Sequence, residues 1–402
     1  MIDVTIEQVS PEVGSATLHG WNTCRPVKTG GALWFVANKP SPDDDDGSNW
    51  LVQRTLMYRR ELTPDGKWEL AEDIDPRTYT CCVDHLGRFW SISPKHVNYI
   101  TLWRSGPNMG LDKLLRCYDG TCAYLGMGVD RVTGNHLLIH PEDTNHMPRF
   151  PNPMVCVYYD VETDTWAKSG IEMPEGRFGY MGIMVRGRKA VVLMQSTQFD
   201  TIVEPNEPHY NWRLLQLVRC DDLLEGKWVK KPLAMRKFGQ SLPSDMVEMP
   251  DGRILIVYKH RGGDESYEAT QELPYALTIS LVNPDDLSFE TFTPNIEVEA
   301  SARVFLGSDG RWYLVGKPDP ESAWRLWRLD ADNGFELTAD WDLPGTEVLK
   351  SMLHTLRPDR VGGEDDGDTI HLTSSDTPGV PFGDSRDRFA IMHAHFELPV
   401  NE

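Results

Sequence analysis

Histidine, tyrosine and the two cationic side chains recur at one phase of this sequence, and that phase is where chemistry is to be sought. Pairs of apolar segments are separated by short turns, and polar residues gather where the first segment of a pair begins and the second ends. Asn22 stands with Asn38 and Lys39, Arg77 with Lys95 and His96, and Tyr124 with His140. Tyr180 falls with Gln195 and Thr197, Asp245 with Lys259, His260 and Arg261, Arg303 with Lys317, and His354 with Ser375 and Asp376. Histidine and tyrosine are suited to giving and taking protons. Arginine and lysine hold anionic oxygens. The set therefore fits proton transfer on an anionic small molecule or sugar.

These residues can share a site only if each pair of segments folds back on itself. The clearest example is Arg77 to Ser105: an apolar run over Tyr79 to Val83, an Asp-His-Leu-Gly turn, a second run over Arg88 to Ser93, and a third over Tyr99 to Trp103. The same arrangement returns along the chain, with turns at Thr133-Gly134, Arg186-Gly187-Arg188, Pro250-Asp251-Gly252 and Ser308-Asp309-Gly310. It yields seven units of roughly fifty residues each. The expected fold is all-β: a seven-bladed β-propeller of four-stranded antiparallel blades, a single domain over residues 1–402, its ring closed by Val4 to Val9 pairing with the last unit. Two β-sandwiches would also use short strands, but the hairpin falls at the same place in every unit and no linker divides the chain. Only Met109 to Arg116 reads as a helix. In such a blade the start of the first strand and the end of the second meet at the rim that carries the long loops, where ligand sites concentrate.

Composition narrows the partners. The chain of 402 residues is 40% hydrophobic, enough for a large core, and its 40 Lys and Arg against 61 Asp and Glu give a net charge of −21. That balance argues against nucleic acid or an anionic membrane as partner and leaves the oligomeric state open. The start MIDVTIEQVSPE has neither the basic region nor the apolar core of a signal peptide, so a cytoplasmic location is expected for the chain as written, and a secreted or periplasmic one if a leader was removed. Seven cysteines, an odd number without a CxxC pair, read as reduced core residues. The run SPDDDDGSNW lacks the alternating oxygens of a calcium loop and reads as solvated. His140 and His146 with Glu142 or Asp143 do not follow an established ligand spacing. No metal ligand is assigned and no cofactor is required, although a structural metal ion stays open.

One stretch carries a family resemblance. Gly20-Trp21-Asn22, then Tyr58-Arg59-Arg60-Glu61-Leu62 with Gly66-Lys67-Trp68, then His96 followed by Asn98-Tyr99 and Arg104-Ser105, resembles the BNR-repeat seven-bladed propellers that include the ulvan lyases. The resemblance covers roughly Gly20 to Trp228 and fades beyond it. It implies a carbohydrate-active enzyme, with relatives that cleave rhamnose linked to glucuronic acid. In that family the second blade carries two histidines and the third a tyrosine followed by an arginine. His96 matches the second histidine and Tyr124 the tyrosine; Arg77 lies where the first histidine would be, and His140 where the arginine would be.

Cleavage beside a uronate by β-elimination needs a base for the α-proton, an acid for the leaving oxygen and donors or cations on the carboxylate. The expected roles are Tyr124 and His96 as base and acid, His140 assisting, and Lys259, Arg261 or Arg303 holding the carboxylate. Asn22, Tyr180 and His354 complete the expected substrate contacts, and the expected substrate is an acidic oligosaccharide or polysaccharide. Two alternatives stay open. A sialidase-like or rhamnosidase-like hydrolase would need two acids, for which Asp245 and Asp376 qualify, and TPDGKW, ETDTW and SDGRW resemble worn sialidase boxes. A non-catalytic sugar-binding propeller would use the many tryptophans and tyrosines for stacking.

Overall fold

The computed structural model describes residues 2–14, 26–40, 53–74, 80–96, 99–104, 113–119, 126–141, 153–173, 177–199, 210–211, 214–236, 239–262, 269, 273–298, 301–319, 321–350, 353–376 and 388–400. Strand β1 (Thr5–Gly14) comes first. Next are β2 (Pro26–Thr29), β3 (Ala32–Pro40), β4 (Gln53–Glu61) and β5 (Glu69–Ile74), then β6 (Thr80–Val83), β7 (Phe89–His96), β8 (Tyr99–Arg104) and β9 (Lys113–Asp119). The third group is β10 (Gly126–Val129), β11 (His136–Pro141), β12 (Met154–Asp160) and β13 (Thr165–Ile171). The fourth is β14 (Arg177–Arg186), β15 (Lys189–Phe199), the short β16 (Tyr210–Asn211), β17 (Leu214–Cys220) and β18 (Trp228–Met235). Then come β19 (Gln240–Glu248), β20 (Ile254–Arg261), β21 (Ala276–Val282) and β22 (Phe289–Phe292), followed by β23 (Arg303–Leu306), β24 (Trp312–Gly316), β25 (Trp324–Asp330) and β26 (Glu336–Leu343). The chain ends with β27 (His354–Thr355), a one-turn helix α1 (Pro358–Val361), β28 (Thr369–Ser375) and β29 (Arg388–Glu397).

Each group forms an antiparallel meander, and the described strands make seven sheets. Six are built from consecutive strands; the other has the order β1-β29-β28-β27, with Thr5 opposite His395 and Glu7 opposite His393. The fold is an all-β propeller of four-stranded blades. In the third sheet the first strand is short and apolar: Gly126 to Val129 is buried throughout, and Gly128 has no room for a side chain because Ile183 of the neighbouring blade would lie 2.6 Å from its Cβ. Outer strands such as β13, β18 and β26 are exposed or half-buried at all but one residue each, as solvated edges are.

The inner hairpins turn on a repeated device. Asp84 accepts the N–H of Leu86 at 2.9 Å and of Arg88 at 3.0 Å, while Gly87 closes the turn with φ 71°. The same carboxylate accepts the Trp90 indole N–H at 2.8 Å, tying the turn to the buried face of β7. Asp130, Asp251 and Asp309 accept backbone N–H groups in the same way. Aspartate supplies the acceptor and glycine the left-handed backbone, which is why these turns are visible in the sequence.

One sequence expectation about secondary structure changes. Of the segment read as a helix over Met109 to Arg116, Met109 to Asp112 lie outside the described residues and Lys113 to Arg116 belong to β9, because Arg116 pairs with Leu102 and Asp119 with Tyr99 across the second sheet. Strand β27 is confined to His354 and Thr355, since Pro358 starts α1. The loop from Gly362 to Asp368 follows a plug. Helix α1 packs on the inner strands β6, β10, β14 and β19, Gly362 bridges to Val83, and the Glu364 N–H donates to the Lys28 carbonyl at 2.8 Å. A Cβ on Gly362 would lie 1.8 Å from the Val83 oxygen. The last hairpin thus crosses the hairpin end of the propeller axis.

Cys81, Cys82, Cys156 and Cys220 are free and buried, and burial raises the thiols of Cys156 and Cys220. Among the described residues no helix is long and apolar enough to cross a membrane.

Candidate functional site at the long-loop rim

Register fixes which side chains share the end of the blades away from the hairpins. Ile139, next to His140, pairs with Gly126 at the start of β10; Lys259 pairs with Leu242 and Arg261 with Gln240 at the start of β19. Arg303 starts β23, and His354 starts β27 opposite Thr373. His96 is the last residue of β7, paired with Tyr99. These five stations therefore lie at one rim. Asn22 and Tyr124 lie outside the described residues, as do His146, Glu142, Asp143 and the SPDDDDGSNW run, and for His96 only the backbone is described.

The best-defined group at this rim is basic. The Lys259 ammonium lies 4.3 Å and the Arg261 guanidinium 4.6 Å from the centre of the Tyr275 ring. Arg261 and the Tyr275 hydroxyl both donate to Gln240 Oε1, at 2.9 and 2.6 Å. His260, between the two cations, points to the other face of β20 and contacts Thr278 Oγ1 at 2.8 Å; burial, with the Arg236 charge adding, pushes it down to about 4, so it is neutral near pH 7. Two cations and an aromatic face are thus held together at a half-buried edge of a strongly acidic chain. Such an arrangement suits a sugar ring bearing an anionic group.

His140 is buried, and burial lowers its pKa despite the raising effect of the Pro141 carbonyl. Its Nδ1 contacts that carbonyl at 2.8 Å, which places the proton on Nδ1 and leaves Nε2 as the basic nitrogen. Tyr180 occupies a bulge in β14 with φ 49°, and its ring packs in the apolar cluster with Met184, Leu193 and Leu215.

Arg303 is turned inward. It donates to the carbonyls of Ser244, Ala302 and Leu353, joining the inner strands of three blades. Beside it Arg357 forms a buried two-point pair with Asp245, whose Oδ2 also accepts the Val304 N–H at 2.9 Å. Burial would raise the Asp245 carboxyl, but the Arg357 charge and hydrogen bonds, with Arg303 and Arg360 adding, hold it at about 2. Asp245 is therefore a structural anion with no proton to donate near pH 7. Asp376, the other acid considered, accepts the Ala390 N–H at 3.0 Å.

The hairpin end holds a feature that the rim phase did not mark. A cavity of about 540 Å³ opens beside the plug, lined among others by Arg131, Glu248, Phe305, Trp312, Arg357 and Asp359. Among the described residues, none of those selected from the sequence for the site lines it. The signal for it was distributed over hairpin tips that read as turn chemistry alone.

No family model matches the chain. No curated protein matches it either. Solved structures do resemble it in fold. An ulvan lyase from a new polysaccharide lyase family aligns with TM-score 0.62 and 10% identity over 96% of this chain and 94% of that chain. An ulvan lyase bound to -[GlcA(1-4)Rha3S]- aligns with TM-score 0.58 and 10% identity over 91% and 92%. An α-L-arabinanase from Penicillium chrysogenum complexed with arabinobiose aligns with TM-score 0.50 and 13% identity over 99% of each chain. These likenesses establish the propeller fold.

Proposed function

We propose that the seven sheets form one ring, a single domain closed by β1 on β29, and that its long-loop rim is the site of a carbohydrate-active enzyme, a polysaccharide lyase acting beside a uronic acid. The observation that carries the reading is the pair Lys259 and Arg261 on the ring of Tyr275. The aromatic face takes a sugar ring, and the cations take its carboxylate.

In the reaction a base removes the proton α to the carboxylate, and the electron pair left behind forms the C4–C5 double bond. The bond from C4 to the glycosidic oxygen breaks, and that oxygen takes a proton from the acid. Carboxylate neutralisation makes the α-proton removable, because charge develops on the carboxylate oxygens in the transition state. Tyr124 and His96 are proposed for base and acid, and His140, with a basic Nε2, for assistance. Asn22, Tyr180, Arg303 and His354 line or support the same rim in this reading. No cofactor enters the reaction. Support comes also from the neighbouring fold that binds a glucuronate-containing ligand. Hydrolysis through Asp245 is disfavoured because its carboxylate is buried and both oxygens are engaged by Arg357 and the Val304 N–H.

The reading is tested by turnover of a uronate-containing glycan by the wild type, Lys259→Ala/Arg261→Ala and Tyr124→Phe. Loss of turnover by a factor of about 100 or more in each, with unchanged melting temperature, is expected. Undiminished turnover in the Lys259→Ala/Arg261→Ala protein would remove the basic pair from the site.

A further inference from the structure

The strands that join the two ends of the chain carry a cluster of imidazoles that the rim chemistry does not use. His393 and His395 project from one face of β29, His371 faces them from β28, and Glu7 stands opposite His393 on β1. The three rings lie against one another, with centroids 5.3 Å apart for His371 and His393 and 5.3 Å for His393 and His395.

Donor chemistry fixes the tautomers. The Trp68 indole N–H can only donate, and it lies 3.3 Å from His393 Nδ1. That nitrogen therefore bears a lone pair, and the His393 proton sits on Nε2, 3.1 Å from His371 Nδ1. His371 in turn carries its proton on Nε2 and donates to Asp366 Oδ2 at 2.6 Å. A carboxylate orienting a histidine that orients a second histidine is the outer-shell pattern of a metal centre.

Three electron-pair donors remain pointed at one place. Glu7 Oε2 lies 3.5 Å from His393 Nδ1. His395 Nδ1 is buried and has no hydrogen-bond partner among the described residues. Ligand atoms of Glu7, His393 and His395 all lie within 4.8 Å of one another. A tetrahedral site with bonds of about 2.0–2.1 Å has edges of about 3.3 Å. The Glu7 to His393 edge already has that length within a few tenths, so closing the site requires motion chiefly of His395, whose side chain is only half-buried. Glu7 keeps its pair with Arg60, at 2.8 and 3.1 Å, through its remaining lone pairs.

We infer that Glu7, His393 and His395 form a binding site for a divalent cation of the zinc class, with solvent as fourth ligand and with His371 and Asp366 positioning His393. Glu7 is one-quarter exposed and gives the ion its entry. The cation replaces the Trp68 N–H at His393 Nδ1. Since β1 and β29 hold the first and last segments of the chain together, the ion clips the two ends.

The test uses the full chain without an affinity tag, stripped with a chelator and titrated with Zn²⁺ and with Co²⁺. One equivalent of Zn²⁺ is expected to bind and raise the melting temperature, and Co²⁺ is expected to give the absorption of a tetrahedral nitrogen and oxygen site. His395→Ala and Glu7→Gln should weaken binding at least tenfold, while Trp68→Phe, which removes the competing donor, should bind at least as tightly as the wild type. Absence of a one-equivalent site in the wild type, or binding undiminished in His395→Ala, overturns the inference. A Trp68→Phe protein that loses the site also counts against it, because the indole would then be supporting the ligands.

Discussion

The buried pair of Asp245 and Arg357 offers a quantitative handle on what holds the blades in register. Arg357 comes from the segment that enters the plug and Asp245 from the inner strand β19, so their contact ties the last hairpin to the fifth sheet. Burial acts to raise the Asp245 pKa, yet the Arg357 charge and hydrogen bonds take it from 3.8 to about 2. A carboxyl held at about 2 instead of 3.8 corresponds to about 2 kcal/mol favouring the ionised folded state. Because the folded pKa is the lower one, this stabilisation is complete above about pH 4 and is lost as pH falls toward 2. Asp245→Asn leaves the Arg357 guanidinium buried against a neutral amide and should cost about 3–5 kcal/mol at pH 7. Asp245→Leu combined with Arg357→Met removes both charges and should recover most of that loss. Urea unfolding at pH 7 and at steps down to pH 3 measures both effects: the Asn variant should unfold at lower urea and show a shallower acid limb than the wild type. Equal stability of wild type and Asn variant at pH 7, or a double variant as damaged as the sum of its singles, would refute the reasoning.

Other expectations follow from single contacts. Gly362→Ala places a Cβ against the Val83 carbonyl at a backbone angle of φ 73° and should cost about 3 kcal/mol or more, read as a fall in melting temperature. Trp324→Phe removes the buried 2.9 Å bond from the indole to the Leu349 carbonyl and should cost about 1–3 kcal/mol in the same measurement. Trp90→Phe strips one of the donors from Asp84 and should destabilise by a similar amount, about 1–3 kcal/mol. The contact of the glycan carboxylate with Lys259 and Arg261 should weaken as salt is raised, measured as a fall in kcat/KM.

The strands were legible because their turns are local chemistry. Asp84 with Gly87 and Asp309 with Gly310 announce a hairpin within a few residues, and the apolar runs beside them need only a partner at the next turn. Long-range features were not. Helix α1 is one turn long, too short for a periodic pattern, and Gly362 is explained only by the Val83 carbonyl from a distant blade. The Lys113 to Arg116 segment has helix-forming residues, but pairing with β8 overrides that preference. At the rim, hairpin phase located Lys259 and Arg261, whereas the Tyr275 ring against them and the inward turn of Arg303 depend on strand neighbours that spacing does not report. The imidazole cluster was missed for the same reason: His371 lies far from His393 in sequence, and Glu7 comes from the other end of the chain.

The account rests most directly on the chemistry of the product. The protein is incubated with a glycan of alternating rhamnose and glucuronate, and the products are followed by far-ultraviolet absorbance and by nuclear magnetic resonance of the new chain ends. The proposed elimination predicts rising absorbance and an unsaturated uronate at each new non-reducing end. New reducing ends with a saturated uronate opposite them would contradict it and assign the rim to hydrolysis.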